Sequence, residues 1–191
     1  TFGSITGLGS MAFIKKQTIS SSATVDFVNG TSDVVLDNTY KEYFFTLNNI
    51  HPSSPGDILK VNFSDDTSSH SYDLSKTTNN FFGRHDEDGS DGQIITNAQK
   101  LGNSTSDAEI VGNINADNDS CCSGYLHLFN PSDTTFVKHF ISRMNSAGES
   151  DRCFSSHTAG YINTTAAVTA VRFTFGGSNI DAGDICLYGI N

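Results

Sequence analysis

The stretch Ser123 to Arg143, SGYLHLFNPSDTTFVKHFISR, leaves this chain few options, because its side chains alternate with a period of two. One arm sets Tyr125, His127 and Phe129 against Leu126 and Leu128, and the other sets Val137, His139 and Ile141 against Phe136, Lys138 and Phe140. Such alternation belongs to extended strands, whose successive side chains point to opposite faces. Between the arms lies Asn130-Pro131-Ser132-Asp133, where Pro presets φ and Asn and Asp bond their own backbone, so the chain reverses there. The spacing predicts a central β-hairpin. Its first arm is apolar on both faces and asks to be covered on both, while Lys138 and His139 on the second fit a wetter surface or an interface.

Other segments repeat the pattern. Ala23, Val25 and Phe27 alternate with Thr24, Asp26 and Val28; Tyr43, Phe45 and Leu47 share a face of the strand in YKEYFFTLNNI; Leu59, Val61 and Phe63 alternate with Lys60 and Asn62 near solvent. Further strands are predicted over Arg152 to Tyr161, Val168 to Phe175 and Asp184 to Ile190, with short ones at Asp33 to Leu36 and Ser71 to Leu74. Lys76 to Asn118 is polar, acidic and irregular, which marks a long functional or mobile connection. No 3.6-residue apolar period appears, so the fold class is all-β: an antiparallel two-sheet sandwich of about eight to ten strands, jelly-roll-like. Its expected core is Phe27, Phe45, Leu47, Val61, Leu126, Leu128, Val171, Phe173 and Leu187. The domain is expected to span residues 20–191, preceded by an arm or linker over 1–19. Phe13 and Ile14 in that arm are candidate oligomer contacts, since both are poor solvent residues. Lys60 and Lys138 read as charges guarding sheet edges.

Composition narrows the function. A formal charge of −10, from 11 basic and 21 acidic residues, repels a nucleic-acid backbone, and no basic stripe offsets it. No apolar run approaches the roughly 20 residues of a bilayer span, and the first residues lack the pattern of a secretory signal. No nucleic-acid partner, membrane insertion or secretory signal is therefore expected. The four cysteines, two of them adjacent at Cys121-Cys122, suit free thiols better than a disulfide framework.

Candidate chemistry is sparse. Asp86, Asp88 and Asp91 in RHDEDGSDG alternate carboxylates with turn glycines, as an oxygen-ligand loop for Ca²⁺ does, but the distal Glu of an EF-hand is missing. The competing reading is a solvated acidic loop. Calcium is thus the one cofactor considered. His127 and His139 sit on the two hairpin arms, either as hydrogen-bonded or interfacial residues or as a metal pair. No nucleophile elbow, phosphate loop or zinc spacing is present, so no catalytic residue is assigned and an enzyme is not expected. Glycan binding competes, with Tyr40, Tyr43, Tyr72, Tyr125, Tyr161 and Tyr188 as platforms in a chain without Trp.

GYLHLFNPSDTTFVKHFISR, AGYINTTAAVTAVRFTF and the closing SNIDAGDICLYGIN resemble small virion structural proteins of tailed bacteriophages of marine bacteria, including cyanophages; ATVDFVNG, YKEYFFTLNNIHP and FFGRHDED do so more loosely. The resemblance covers most of residues 20–191. It implies a β-rich, non-enzymatic, self-assembling component of the virion, in the tail, a fibre or a capsid decoration, contacting other virion proteins. It assigns no catalytic residues. Analogy with phage fibres favours a homotrimer, and the alternative role is a receptor-recognition module for a host-surface glycan.

Overall fold

The computed structural model describes residues 11–96 and 100–191, in which twelve strands and no helix are found. They are β1 (Met11–Ser22), β2 (Thr24–Val28), β3 (Glu42–Pro52), β4 (Lys60–Ser64), β5 (Lys76–Asp86), β6 (Gly92–Thr96), β7 (Ala108–Glu109), β8 (Cys122–Phe129), β9 (Lys138–Gly148), β10 (Arg152–Ile162), β11 (Ala170–Thr174) and β12 (Ile180–Ile190). All pair antiparallel.

Two sheets result. The larger has the order β1-β12-β3-β8-β9-β10-β5-β6 and the smaller β2-β11-β4-β7. Within them, β1-β12-β3-β8 and β2-β11-β4-β7 interleave as a jelly roll does: strands from the first part of the chain run beside strands returning from its end, shared alternately between two sheets. The other four strands are two inserted hairpins. β5-β6 enters between β4 and β7, and β9-β10 between β8 and β11; both join the larger sheet beyond β8.

Alternation fills the space between the sheets. All nine expected core residues are fully buried, and Phe27, Phe45 and Phe173 meet edge to face with ring centroids 5.3 to 6.4 Å apart. Under the added hairpins the filling changes character. The cover there is loop backbone from the 100–117 segment, whose polar groups need partners, so polar residues, Thr78, Asn80, Ser142, Ser146, Ser156 and Thr158, are buried among Phe140, Met144 and Phe154. Thr78 N–H donates to Leu101 O, Gly112 N–H to Ser156 Oγ, and Thr158 Oγ1 to Glu109 O.

Several expectations change. Residues 11–19 of the expected arm form most of β1, an edge strand in register with β12 from Met11↔Ile190 to Ser22↔Ile180, while residues 1–10 lie outside the described residues. Asp33 to Leu36 and Ser71 to Leu74 are not strands, although Val34 and Leu36 are buried. Lys76 to Asn118 is far more ordered than its polarity suggested, since it supplies β5, β6 and β7. Lys138 guards no edge: it is fully buried, with Nζ donating to Phe136 O and Thr164 O at 2.9 and 3.1 Å. Lys60 lies on β4, flanked by β11 and β7. The lysines that do stand on an edge strand are Lys15 and Lys16 of β1.

Candidate functional site

Strand alternation gives the eight-stranded sheet a second face, turned away from the four-stranded sheet, and the described residues place no layer over it. Its side chains follow from register. One cross-strand row runs Phe13, Tyr188, Phe44, His127, Ile141, Ala159 and Asn79; the next runs Lys16, Cys186, Thr46, Tyr125, Arg143, His157 and Phe81. Aromatic side chains meet along and between these rows, which is how neighbouring strands in a sheet stabilise one another. Phe13 lies edge-on to Tyr188 at 5.7 Å, Phe44 stacks on Tyr125 at 5.0 Å, and Phe81 lies parallel to His157 at 4.9 Å.

The face is apolar and yet exposed. Among the described residues six large apolar side chains are exposed, and five of them, Met11, Phe13, Phe81, Ile94 and Ile141, belong to this face; Phe136 sits in the β8–β9 turn. Ile94, on edge strand β6, is 80% exposed. His85, His127, His139 and His157 share the face, and two of its groups are answered within the chain: His127 Nε2 lies 2.8 Å from Glu42 Oε2 and Lys16 Nζ 2.9 Å from Asp184 Oδ2. His127 pairs in register with Ile141, so His127 and His139 are diagonal neighbours, and His139 packs toward Tyr161.

Phe13 and Ile14 divide. A bulge between Phe13 and Lys15 makes Ile14 the extra residue, which packs partly buried on the core, so Ile14 is withdrawn from the exposed face that Phe13 occupies. Of the tyrosines, Tyr43 and Tyr72 are buried and cannot serve as platforms; burial pushes the Tyr43 phenol up to about 12. Tyr72 instead stacks under Arg172, which holds Asp26 through two bonds of 2.6 and 2.8 Å.

The acidic loop joins β5 to β6. Arg152 Nε donates to Asp86 Oδ1 at 2.7 Å and Arg84 Nη2 to Asp91 Oδ2 at 2.8 Å, while Asp88 Oδ1 accepts Ser90 N–H. Hydrogen bonds from Gln93 and Arg84 hold the Asp91 carboxyl below the usual range, and those from Ser90 do the same for Asp88. The three carboxylates are thus turned to different partners, and among the described residues no three acidic, His or Cys side chains are gathered as a metal ion requires. The calcium reading gains no support from this geometry. Sequence reasoning missed the exposed face because its residues are scattered over eight strands, and only register brings them together.

No family model, no curated protein and no solved structure matches the chain.

Proposed function

We propose that this chain is a non-enzymatic structural subunit of a tailed-bacteriophage virion, one that assembles with copies of itself and neighbouring virion proteins through the uncovered face of its eight-stranded sheet. The observation that carries the proposal is the gathering on that face of five of the six exposed large apolar side chains among the described residues, since monomeric proteins rarely leave such a patch in water. Size agrees. Eight strands about 4.8 Å apart and about eight residues deep give a face of about 34 by 27 Å, close to the ~800 Å² that each partner contributes to a stable interface. The jelly-roll topology and the resemblance of the hairpin and C-terminal segments support the virion setting.

The test replaces two exposed side chains that lie outside the core. Ile141→Asp and Phe13→Asp put carboxylates on the exposed face without touching the core. Light scattering is expected to give a multiple of the single-chain mass for the natural protein and a monomer for the double variant. A face-to-face contact closes as a dimer, whereas a trimer requires a head-to-tail contact that includes the β1 or β6 edge, so the measured mass distinguishes them. A natural protein that stays monomeric at all concentrations refutes self-assembly. Labelled-antibody microscopy of purified particles tests the virion location, and absence of label from capsid, tail and fibres refutes it.

A further inference from the structure

Histidine is concentrated on the uncovered face. The chain has six, and four of them, His85, His127, His139 and His157, stand there on β5, β8, β9 and β10. Imidazole is the side chain whose charge changes in the neutral range, so a mostly apolar face of this kind gains cations on mild acidification. The effect of each gained charge depends on its neighbours, which register supplies.

Three of the four are placed where a proton is easily received. His127 Nε2 lies 2.8 Å from Glu42 Oε2. His85 stands close enough to the acidic loop to act on the Asp88 carboxyl. His139 is the second residue of β9 and exposed, at the rim of the sheet where water reaches its ring.

His157 differs. It is half-buried in the middle of β10, with β9 on one side and β5 on the other. From β5 it meets Phe81, whose ring lies parallel to its own at 4.9 Å, and from β9 it faces Arg143. The diagonal and same-strand positions hold Gly83, Asn79, Ile141, Asn145, Ser155 and Ala159, so no carboxylate is among them. Arg143 in turn faces Tyr125 on β8, with Ser123 and His127 on the diagonals, and finds no acid there either. The next titratable group along β10 is Cys153.

In the free chain a proton on His157 is tolerated, because water screens it from the guanidinium about one cross-strand spacing, ~5 Å, away. Covering the face with a second copy removes that water. A single guanidinium is a common interface group, planar and weakly hydrated, but a second cation beside it then has no counter-ion. The acids that stand in the face's cross-strand rows, Glu42 and Asp184, are held by His127 and Lys16. The Phe81 ring attracts an imidazolium, yet repulsion between two full charges in a dry contact outweighs the pull of a ring quadrupole.

We infer that the self-association surface is gated by pH, with His157 beside Arg143 as its proton-sensitive position: neutral His157 fits the buried contact, and protonation opens it. This gate rests on the reading of the face as the contact between copies. The free chain takes up the proton more readily than the assembled one, so association is strong at neutral pH and lost as pH falls. Acidification also makes the net charge of −10 less negative, which acts the other way between whole molecules; about 1 M NaCl screens that long-range effect and leaves the local one.

The full chain is examined by sedimentation equilibrium in about 1 M NaCl at about pH 7.5 and about pH 5.5. A contact that admits only the neutral form of an ordinary imidazole weakens about tenfold per imidazole over this range, and a dimer buries two copies of His157, so the association constant is expected to fall about a hundredfold. His157→Gln, a neutral amide at both pH values, is expected to associate at both with a change of less than about tenfold. His70→Gln, whose ring lies beside Ser64 Oγ away from the face, is expected to keep the full fall. Far-UV circular dichroism is expected to show the same strand signal at both pH values. A natural protein that is monomeric at pH 7.5 refutes the contact itself and the gate with it. One that associates equally at both values, or more tightly at pH 5.5, leaves the contact standing and overturns the gate. A fall that His157→Gln retains in full, or that accompanies unfolding, overturns the assignment to His157.

Discussion

At the scale of single residues, the two buried lysines are the least expected feature. Lys76 and Lys138 both pair in register with Ile162, so they lie in one row under the larger sheet, and each Nζ turns back to the carbonyl two residues earlier. Lys76 Nζ also donates to Thr105 O and Ser106 O, tying the loop before β7 to the start of β5. Burial pushes its ammonium down to about 8, against a smaller opposing pull from Asp107 and Asp73. The folded pKa is therefore below the unfolded 10.5, so the cost of burying the charge is fully present below about pH 8 and relieved as pH rises toward 10.5. Lys76→Met is expected to destabilise by about 1–3 kcal/mol at pH 7 because carbonyls lose their donor. The natural protein's advantage over this variant should then widen by up to ~3 kcal/mol between pH 8 and 10.5. Urea unfolding of both proteins at a series of pH values checks this; an advantage that stays flat means the ammonium is not strained. In the acidic loop, Asp86→Ala is expected to lower the melting temperature by releasing Arg152, and Asp88→Ala to leave it unmoved with or without added calcium. Calorimetry with and without Ca²⁺ decides, and a calcium-dependent rise lost in Asp88→Ala would restore a metal site. The roles of the two lysines were not legible in the sequence. A lysine in an alternating strand reads as solvated, and only the partners brought by β10 and the 100–107 loop make it a buried clamp.

At the scale of elements, legibility followed which face a strand buries. β3, β8 and β12 set apolar residues inward and were readable as strands. β5 sets Thr78 and Asn80 inward against loop backbone, so its eleven residues carry no apolar alternation despite full pairing with β10. β1 was misplaced for a related reason: as an edge strand it buries only Ile19 fully, and its polar run reads as linker. Removal of everything before Ser20 would strip most of a strand that pairs along the whole of β12, expose the unpaired edge of β12 and uncover the core at Ile19. Such a truncated chain is expected to melt markedly lower and to aggregate. A truncated protein with unchanged melting temperature and solubility would show β1 to be dispensable and return residues 11–19 to the role of a detachable arm.

At the scale of the molecule, the class of fold was legible because nine inward residues from six segments obey one alternation and meet in one core. The extension of one sheet by two inserted hairpins was not, and that extension creates the broad uncovered face. The face and the overall charge make opposite demands on association. Copies carrying a net −10 each repel one another, but the contact face offers mainly apolar and aromatic side chains, and Lys16 and His127 on it already have acidic partners in the same chain. Screening should therefore help. Raising NaCl from about 0.1 M to about 1 M shortens the Debye length from ~10 to ~3 Å, which removes the long-range repulsion and leaves apolar burial in place. Self-association is expected to strengthen over this range, with the double variant Ile141→Asp and Phe13→Asp remaining monomeric throughout. Sedimentation equilibrium at the two salt concentrations measures it. An association that weakens with salt would mean that ion pairs between subunits hold the assembly, and the contact would then have to be sought on a charged surface elsewhere in the molecule.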